Sequence, residues 1–244
     1  MRRGSMELTD RDIKIFELIK KLGWIRQDNI AYFLGLDYAD NKVNTIIRGI
    51  GFRLQKHGYI IKKRFIAGLP NYWCFSKLGA DFNDAINEPK FVLQNAKHDD
   101  MVARLLIKYL KQNPQSIVTE FELKYQVNLS KDRRIKIPDL VLNDTTAIEV
   151  EISLKNASRI ATIMRQYKFS DYKEVIYYTT DKIASVMTNN NTLDSKFKFK
   201  IINEDDIINS KEFMNQKPHN EMINNNIITS QFNEKQQLRA RLGL

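Results

Sequence analysis

The sequence predicts a mixed α+β chain in two parts: an N-terminal winged helix-turn-helix, then a mixed sheet with helices on its faces. Three observations predict it. Helical apolar stripes before Gly58 run into a hairpin signal. A polar stretch over residues 83–95, with Pro89 and no clear period, interrupts the pattern. Beyond it, β-type runs mix with helical ones, the order expected of a sheet covered by helices.

The first part spans residues 8–82. Thr9 with a carboxylate three residues on, Asp12, is a helix-start signal. Ile13, Phe16, Leu18 and Ile19 continue it as an apolar stripe, and Gly23 ends it. Arg26–Leu34 reads as a short second helix, closed by Gly35. Asp40–His57 reads as a longer third. There Val43, Ile47, Ile50 and Leu54 share one face, and Gly58 is a natural C-cap. Two β-rich runs, Tyr59–Ile66 and Tyr72–Phe75, flank turn residues that include Gly68, Pro70 and Asn71, which signals a hairpin. Trp24 and Trp73 read as core residues, and His57 as a partner for the carbonyl end of the third helix.

After the linker, the second part spans residues 96–202. Lys97–Leu110 reads as a helix. Strands are expected at Ile117–Leu129, Ile135–Leu142, Ala147–Ile152 and Glu174–Thr180, with Lys196–Ile202 as a fifth candidate. Helices are expected at Asn156–Tyr167 and Asp181–Met187. Residues 203–244 are rich in Asn, Lys, Glu and Gln and read as a polar, partly disordered tail.

The 244 residues carry a net charge of +10, so a polyanion is the expected partner, either nucleic acid or an anionic membrane surface. No apolar run approaches the roughly 20 residues of a membrane span, so no membrane insertion is expected. The basic N-terminus lacks the apolar segment of a secretory signal. The single cysteine, Cys74, offers neither an internal disulfide nor a thiolate cluster, which fits a reducing cytoplasm.

In a helix-turn-helix the recognition helix buries one face and offers the other to the major groove. The stripe of the third helix leaves Asn41, Lys42, Asn44, Thr45, Arg48, Arg53 and Lys56 outward. Asn suits the edge of adenine and Arg that of guanine, while Arg53 and Lys56 are better placed for phosphates. The hairpin adds Lys62, Lys63 and Arg64 in succession, a basic wing suited to phosphates or the minor groove. The other reading of the same face is a solvated surface for protein contacts.

The stretch RIKIPDLVLNDTTAIEVEISLKN carries the candidate chemistry. Asp139 lies in one apolar strand, and Asn143-Asp144-Thr145-Thr146 makes a turn. Glu149 and Glu151 sit two apart in the next strand, hence on one face. A hairpin brings Asp139 toward that pair. Three carboxylates on one face repel unless a cation or protons neutralise them. Their hard oxygens suit Mg²⁺ or Mn²⁺, which can activate water and polarise a phosphoryl oxygen. The alternative is an exposed strand with solvated glutamates. Lys155 follows Glu151 by four residues and can stabilise charge on a transferred phosphate or lie at the surface. Glu120 and Glu122, in the expected strand TEFEL, either add a carboxylate or point away. His98 either helps position phosphate or metal, or acts as a cap.

The order of Pro138-Asp139, a short turn and Glu149-x-Glu151 resembles the PD-(D/E)XK nuclease core. The chain over residues 8–190 resembles the plasmid replication–relaxation family and the MOBC-class mobilisation relaxases grouped with it. The resemblance is carried by LTDRDIKIFELIKKLGWIRQDNIAYFL, KHDDMVARLLI, TEFEL, IPDLVL, AIEVEISLKNASRIATIMRQY and VIYYT. It implies a restriction-endonuclease-like second domain in a bacterial cytoplasmic protein that binds double-stranded plasmid DNA at an origin of transfer. It also implies metal-dependent nicking, with a coupling ATPase and other relaxosome proteins as partners. Asp139, Glu149 and Glu151 match the acidic motif, Lys155 the lysine after it, and Glu120 an upstream acidic position. The chain departs from the nuclease pattern at Glu151, where that pattern has lysine, so Lys155 must reach the site from the helix. A non-enzymatic replication initiator or repressor over an inactive nuclease fold is the alternative.

Overall fold

A computed structural model describes residues 7–126, 136–153, 155–189 and 195–202. Among them are eight α-helices, one short 3-10 turn and two sheets. The tail from residue 203 lies outside the described residues.

Helix α1 (Asp10–Leu22) begins at a complete capping box: Thr9 accepts from the Asp12 amide, and the Asp12 carboxylate accepts from the Thr9 amide. Gly23 ends α1 at φ 75°, where an L side chain would be strained. Strand β1 (Ile25–Arg26) precedes α2 (Gln27–Phe33). Sequence reading had Arg26 inside the helix. It instead pairs with Tyr72 on β3 (Tyr72–Phe75), whose other edge takes β2 (Ile60–Lys63). The result is a three-stranded antiparallel sheet in the order β1-β3-β2. Helix α3 (Asn41–Lys56) lies between Asp40 and His57 as caps and buries Ile47, Ile50 and Leu54. Helix α4 (Lys77–Asn83) follows β3.

The 83–95 stretch is held by side-chain contacts. The Trp24 indole donates to the Pro89 carbonyl, and Phe91 stacks on Phe65 at 3.8 Å between ring centroids. Helix α5 (Ala96–Leu110) then leads into β4 (Ile117–Thr119).

At this point the fold departs from the expected strand over Ile117–Leu129. The strand stops at Thr119, and α6 (Glu120–Gln126) begins. The cause is local. Thr119 and Glu122 form a second capping box, with the Glu122 amide donating to Thr119 Oγ1 and the Thr119 amide to Glu122 Oε2. TEFEL alternates like a strand, but its Thr-x-x-Glu spacing starts a helix.

Strand β5 (Leu140–Leu142), β6 (Thr146–Glu151), α7 (Ala157–Lys168), β7 (Glu174–Thr179), α8 (Asp181–Asn189) and β8 (Phe197–Ile201) complete the fold. The five-stranded sheet runs β4-β5-β6-β7-β8, antiparallel through β6 and parallel beyond it. The turn between β5 and β6 places Asn143 and Asp144 at positive φ, which these residues tolerate better than most. β5 is shorter than expected: it starts at Leu140, and Ile135 lies outside the described residues.

Strand alternation divides the core. Leu140, Leu142, Ile148, Val150, Ile176 and Tyr178 join one continuous cluster with Leu105 and Leu106 of α5 and with Phe16, Ile47 and Trp73. The opposite face, carrying Ala147, Val175 and Tyr177, packs against Ile160, Met164 and Tyr167 of α7 and Ile183 and Met187 of α8. The N-terminal helices and the five-stranded sheet therefore share an apolar core.

Candidate active site

Leu140 pairs with Ile148 across β5 and β6. Asp139 stands just before β5, with its carboxylate on the Val150 amide next to Glu149, and strand alternation puts Glu151 on the same face as Glu149. All three carboxylates are buried: Asp139 and Glu149 are each 4% exposed and Glu151 is 6% exposed. The solvated-strand alternative for Glu149 and Glu151 is therefore set aside.

Each carboxylate has a cation of its own. Asp139 Oδ2 accepts from the Val150 amide at 2.7 Å and from His98 Nε2 at 3.2 Å. Glu149 Oε1 lies 3.0 Å from Lys136 Nζ and also accepts from the Tyr167 hydroxyl. Glu151 is bound by Lys155 Nζ and accepts from Ser153 Oγ at 3.1 Å. The lysine that had to arrive from beyond the strand does reach Glu151.

The electrostatics follow from these contacts. Burial alone would raise the Asp139 carboxyl, but His98, Lys136 and the Val150 amide hold it below the usual range. Burial opposes the His98 charge, yet its bonds to Asp139 and Asp99 push the imidazole up to about 10. Glu149 goes the other way. Burial and the neighbouring Asp139 charge push it up to about 7, against the pull of Lys136 and Tyr167. Two neighbouring carboxylates thus differ in proton affinity, a pattern common at functional sites.

Glu120 arrives by its backbone: its amide donates to the Asp139 carbonyl at 2.9 Å, while its carboxylate pairs with Lys124. Glu122 points to Lys21 of α1.

By chemistry, carboxylate oxygens are the donors that a hard divalent cation takes. The Tyr177 hydroxyl, buried and without a hydrogen-bond partner, feels the charge of Glu149, Glu151 and Asp139 and marks an unsatisfied polar spot beside them. As they stand, no three His, Cys, Asp or Glu side chains among the described residues converge tightly enough to enclose an ion. Lys136 and Lys155 hold the oxygens that a metal would take.

On α3, Asn41, Lys42, Thr45, Arg48 and Lys56 are exposed, and Asn44 is half-buried with its Oδ1 unpartnered. Arg53 is placed differently: its guanidinium turns onto the fully buried Asp12, with one contact at 2.7 Å. It therefore ties α3 to the start of α1. On the hairpin, Arg64 is exposed, Lys63 pairs with Glu88, and Lys62 is half-buried, with burial lowering its ammonium pKa.

Sequence reasoning missed Lys136 and Tyr167, both of which touch Glu149. Lys136 stands three residues before Asp139 and was visible as a basic residue beside the acidic motif, but its partner lies across the hairpin. Nothing in the spacing of Tyr167 points to Glu149. No protein-family model, characterised protein or solved structure matches the chain.

Proposed function

We propose that the chain is a plasmid mobilisation relaxase-like protein, which binds double-stranded DNA at an origin of transfer and nicks it by metal-dependent phosphodiester cleavage. In this reading residues 8–82 are a winged helix-turn-helix and residues 96–202 a PD-(D/E)XK nuclease-like domain. The observation that carries it is the burial of three carboxylates, Glu149 and Glu151 on one face of β6 and Asp139 just before β5, with Lys155 bound to Glu151.

Asp139, Glu149 and Glu151 would hold Mg²⁺ or Mn²⁺, which supplies a polarised phosphoryl oxygen and a more acidic water. Lys136 and Lys155 shield the acids from one another and are placed to meet negative charge on the phosphate. His98 keeps Asp139 ionised. Tyr167 orients Glu149 through its hydroxyl. The exposed polar and basic side chains Asn41, Thr45, Arg48 and Lys56 support a groove-reading role for α3. A coupling ATPase and accessory relaxosome proteins are the proposed partners.

One observation favours a second reading. Each carboxylate already carries its own cation, as expected of a non-enzymatic initiator or repressor that uses the sheet as a scaffold. The two separate in one assay, with supercoiled plasmid bearing the cognate origin, the protein, and Mg²⁺ or Mn²⁺. Open-circle product that is lost in both Asp139→Ala and Glu151→Ala supports cleavage. Specific binding without a nick in either metal leaves the scaffold reading.

A further inference from the structure

A cleft of about 710 Å³ opens near Glu149. Its lining includes Lys136 and Tyr167, the two side chains that touch Glu149, so its inner end lies against the candidate active site. Its mouth is formed by the turn between α7 and β7, where Arg165, Phe169 and Tyr172 line it. The volume falls within the roughly 300–1,000 Å³ range of small-ligand sites, large enough for a nucleotide.

The chemistry of the mouth is specific. Phe169 is 80% exposed, the most exposed of the large apolar side chains described. A phenyl ring left in water at a helix end loses hydrophobic stabilisation unless something covers it. Around it the sequence RQYKFSDYK interleaves aromatic and basic residues. Arg165, Lys168 and Lys173 are exposed and form no ion pair with another described residue. Two acids also line the cleft, Asp144 and Asp171, and Asp144 accepts from Ser116 Oγ at 3.0 Å. Exposed aromatic faces among unpaired cations suit unstacked bases on a phosphate backbone, where each base stacks on a ring and each phosphate meets a cation. Paired bases in a duplex offer no free face to such a ring.

We propose that this cleft binds single-stranded DNA, with a base stacked on Phe169 and the backbone running past Arg165 toward Lys136 and Glu149. The proposal deepens the nicking reading, since it gives the strand leaving or entering the carboxylate site a place to lie. It differs from the α3 face, which is suited to duplex.

The test uses the full chain without added metal, and a short mixed-sequence single-stranded deoxyoligonucleotide carrying one 2-aminopurine. Wild-type protein is expected to bind it and quench the 2-aminopurine by stacking. Phe169→Ala should weaken binding roughly tenfold or more and abolish the quench, because stacking on one aromatic ring contributes about 1–3 kcal/mol per base. Phe169→Trp should retain both. Because Phe169 is mostly in water, neither variant should disturb folding, and circular dichroism checks this. Arg165→Gln should weaken binding and flatten its salt dependence. Unchanged affinity in Phe169→Ala would overturn the proposal, as would binding of a duplex of the same sequence that depends on Phe169 to the same extent. Single-strand binding that depends on Phe169 in a protein that never nicks would sink the cleavage reading and leave this one standing. Nicking with no role for Phe169 would do the reverse.

Discussion

The contrast between Asp139 and Glu149 leads to a pH dependence. The Glu149 carboxyl is raised from 4.5 to about 7, so the folded state holds its proton more tightly than the unfolded chain does. The Glu149 contribution to stability is therefore full below about pH 4.5 and lost as pH rises to about 7, while that of His98, raised from 6.5 to about 10, is lost only above about 6.5. At about 1.4 kcal/mol per pH unit, the full Glu149 effect is on the order of 3 kcal/mol. Asp100, raised to about 6 mainly by burial, adds to the lower part of the Glu149 window. Urea denaturation at pH 5 and pH 7.5 should show this decline in wild type and a smaller one in Glu149→Gln; equal slopes would contradict the assignment. Arg53 makes a different prediction. Its partner Asp12 is fully buried and also caps α1. Arg53→Ala should cost roughly 1–3 kcal/mol of stability by stranding that carboxylate, an amount tempered by the part of the arginine left in water. Folded Arg53→Ala protein should lose less DNA affinity than Arg48→Ala, because Arg48 is exposed on the outer face of α3 whereas Arg53 is turned onto Asp12.

At the scale of elements, two glycines of α3 should respond in opposite ways to the same change. A Cβ at Gly49 meets nothing within 4 Å, so Gly49→Ala should stabilise the helix by up to about 1 kcal/mol. A Cβ at Gly51 would overlap the Trp73 ring, so Gly51→Ala should destabilise by roughly 1–3 kcal/mol. Thermal denaturation of both variants checks the pair, and a shift of the same sign in each would contradict this packing of α3. Thr119→Ala should cost about 1 kcal/mol by removing the cap of α6. That cap also shows what the sequence made legible. Thr9 and Asp12 announced α1 because an apolar helical stripe followed them. Thr119 and Glu122 have the same spacing, but the alternating TEFEL run after Ile117 and Val118 masked it. The apolar face of α3 and the pairing of β2 with β3 could be read from local periodicity. The two-residue strand β1 could not, since it exists only through its contact with β3. In the site, the three acids were visible because strand alternation is local. Their partners His98, Lys136 and Tyr167 come from other elements, and no spacing along the chain encodes those contacts.

For the whole molecule, the main feature is the continuity between the N-terminal helices and the sheet. Beyond the shared apolar core, a buried polar cluster joins them. Arg26 of β1 binds Asp28 and, at 2.6 Å, Asp100 of α5; the Tyr72 hydroxyl donates to Asp100 at 2.9 Å. Asp100→Ala would leave Arg26 and Tyr72 without that partner and should cost on the order of 3 kcal/mol. The described fold should then unfold in one transition, with tryptophan fluorescence and far-ultraviolet circular dichroism coincident in wild type. Two separated transitions would contradict a shared core. Such continuity would fix the distance from α3 to the carboxylates, as the proposed reading of a DNA site by one and cleavage at the other requires. No helix among the described residues is long and apolar enough to cross a membrane. The central claim concerns the carboxylates themselves, and the most direct measurement is a Mn²⁺ titration of the full chain followed by electron paramagnetic resonance. The account predicts that wild-type protein removes the free Mn²⁺ signal stoichiometrically, more tightly at pH 8 than at pH 6 as Glu149 ionises. It also predicts that the Asp139→Asn, Glu149→Gln double variant leaves the signal untouched. Free Mn²⁺ in the presence of wild type, or equal uptake by the double variant, would contradict it.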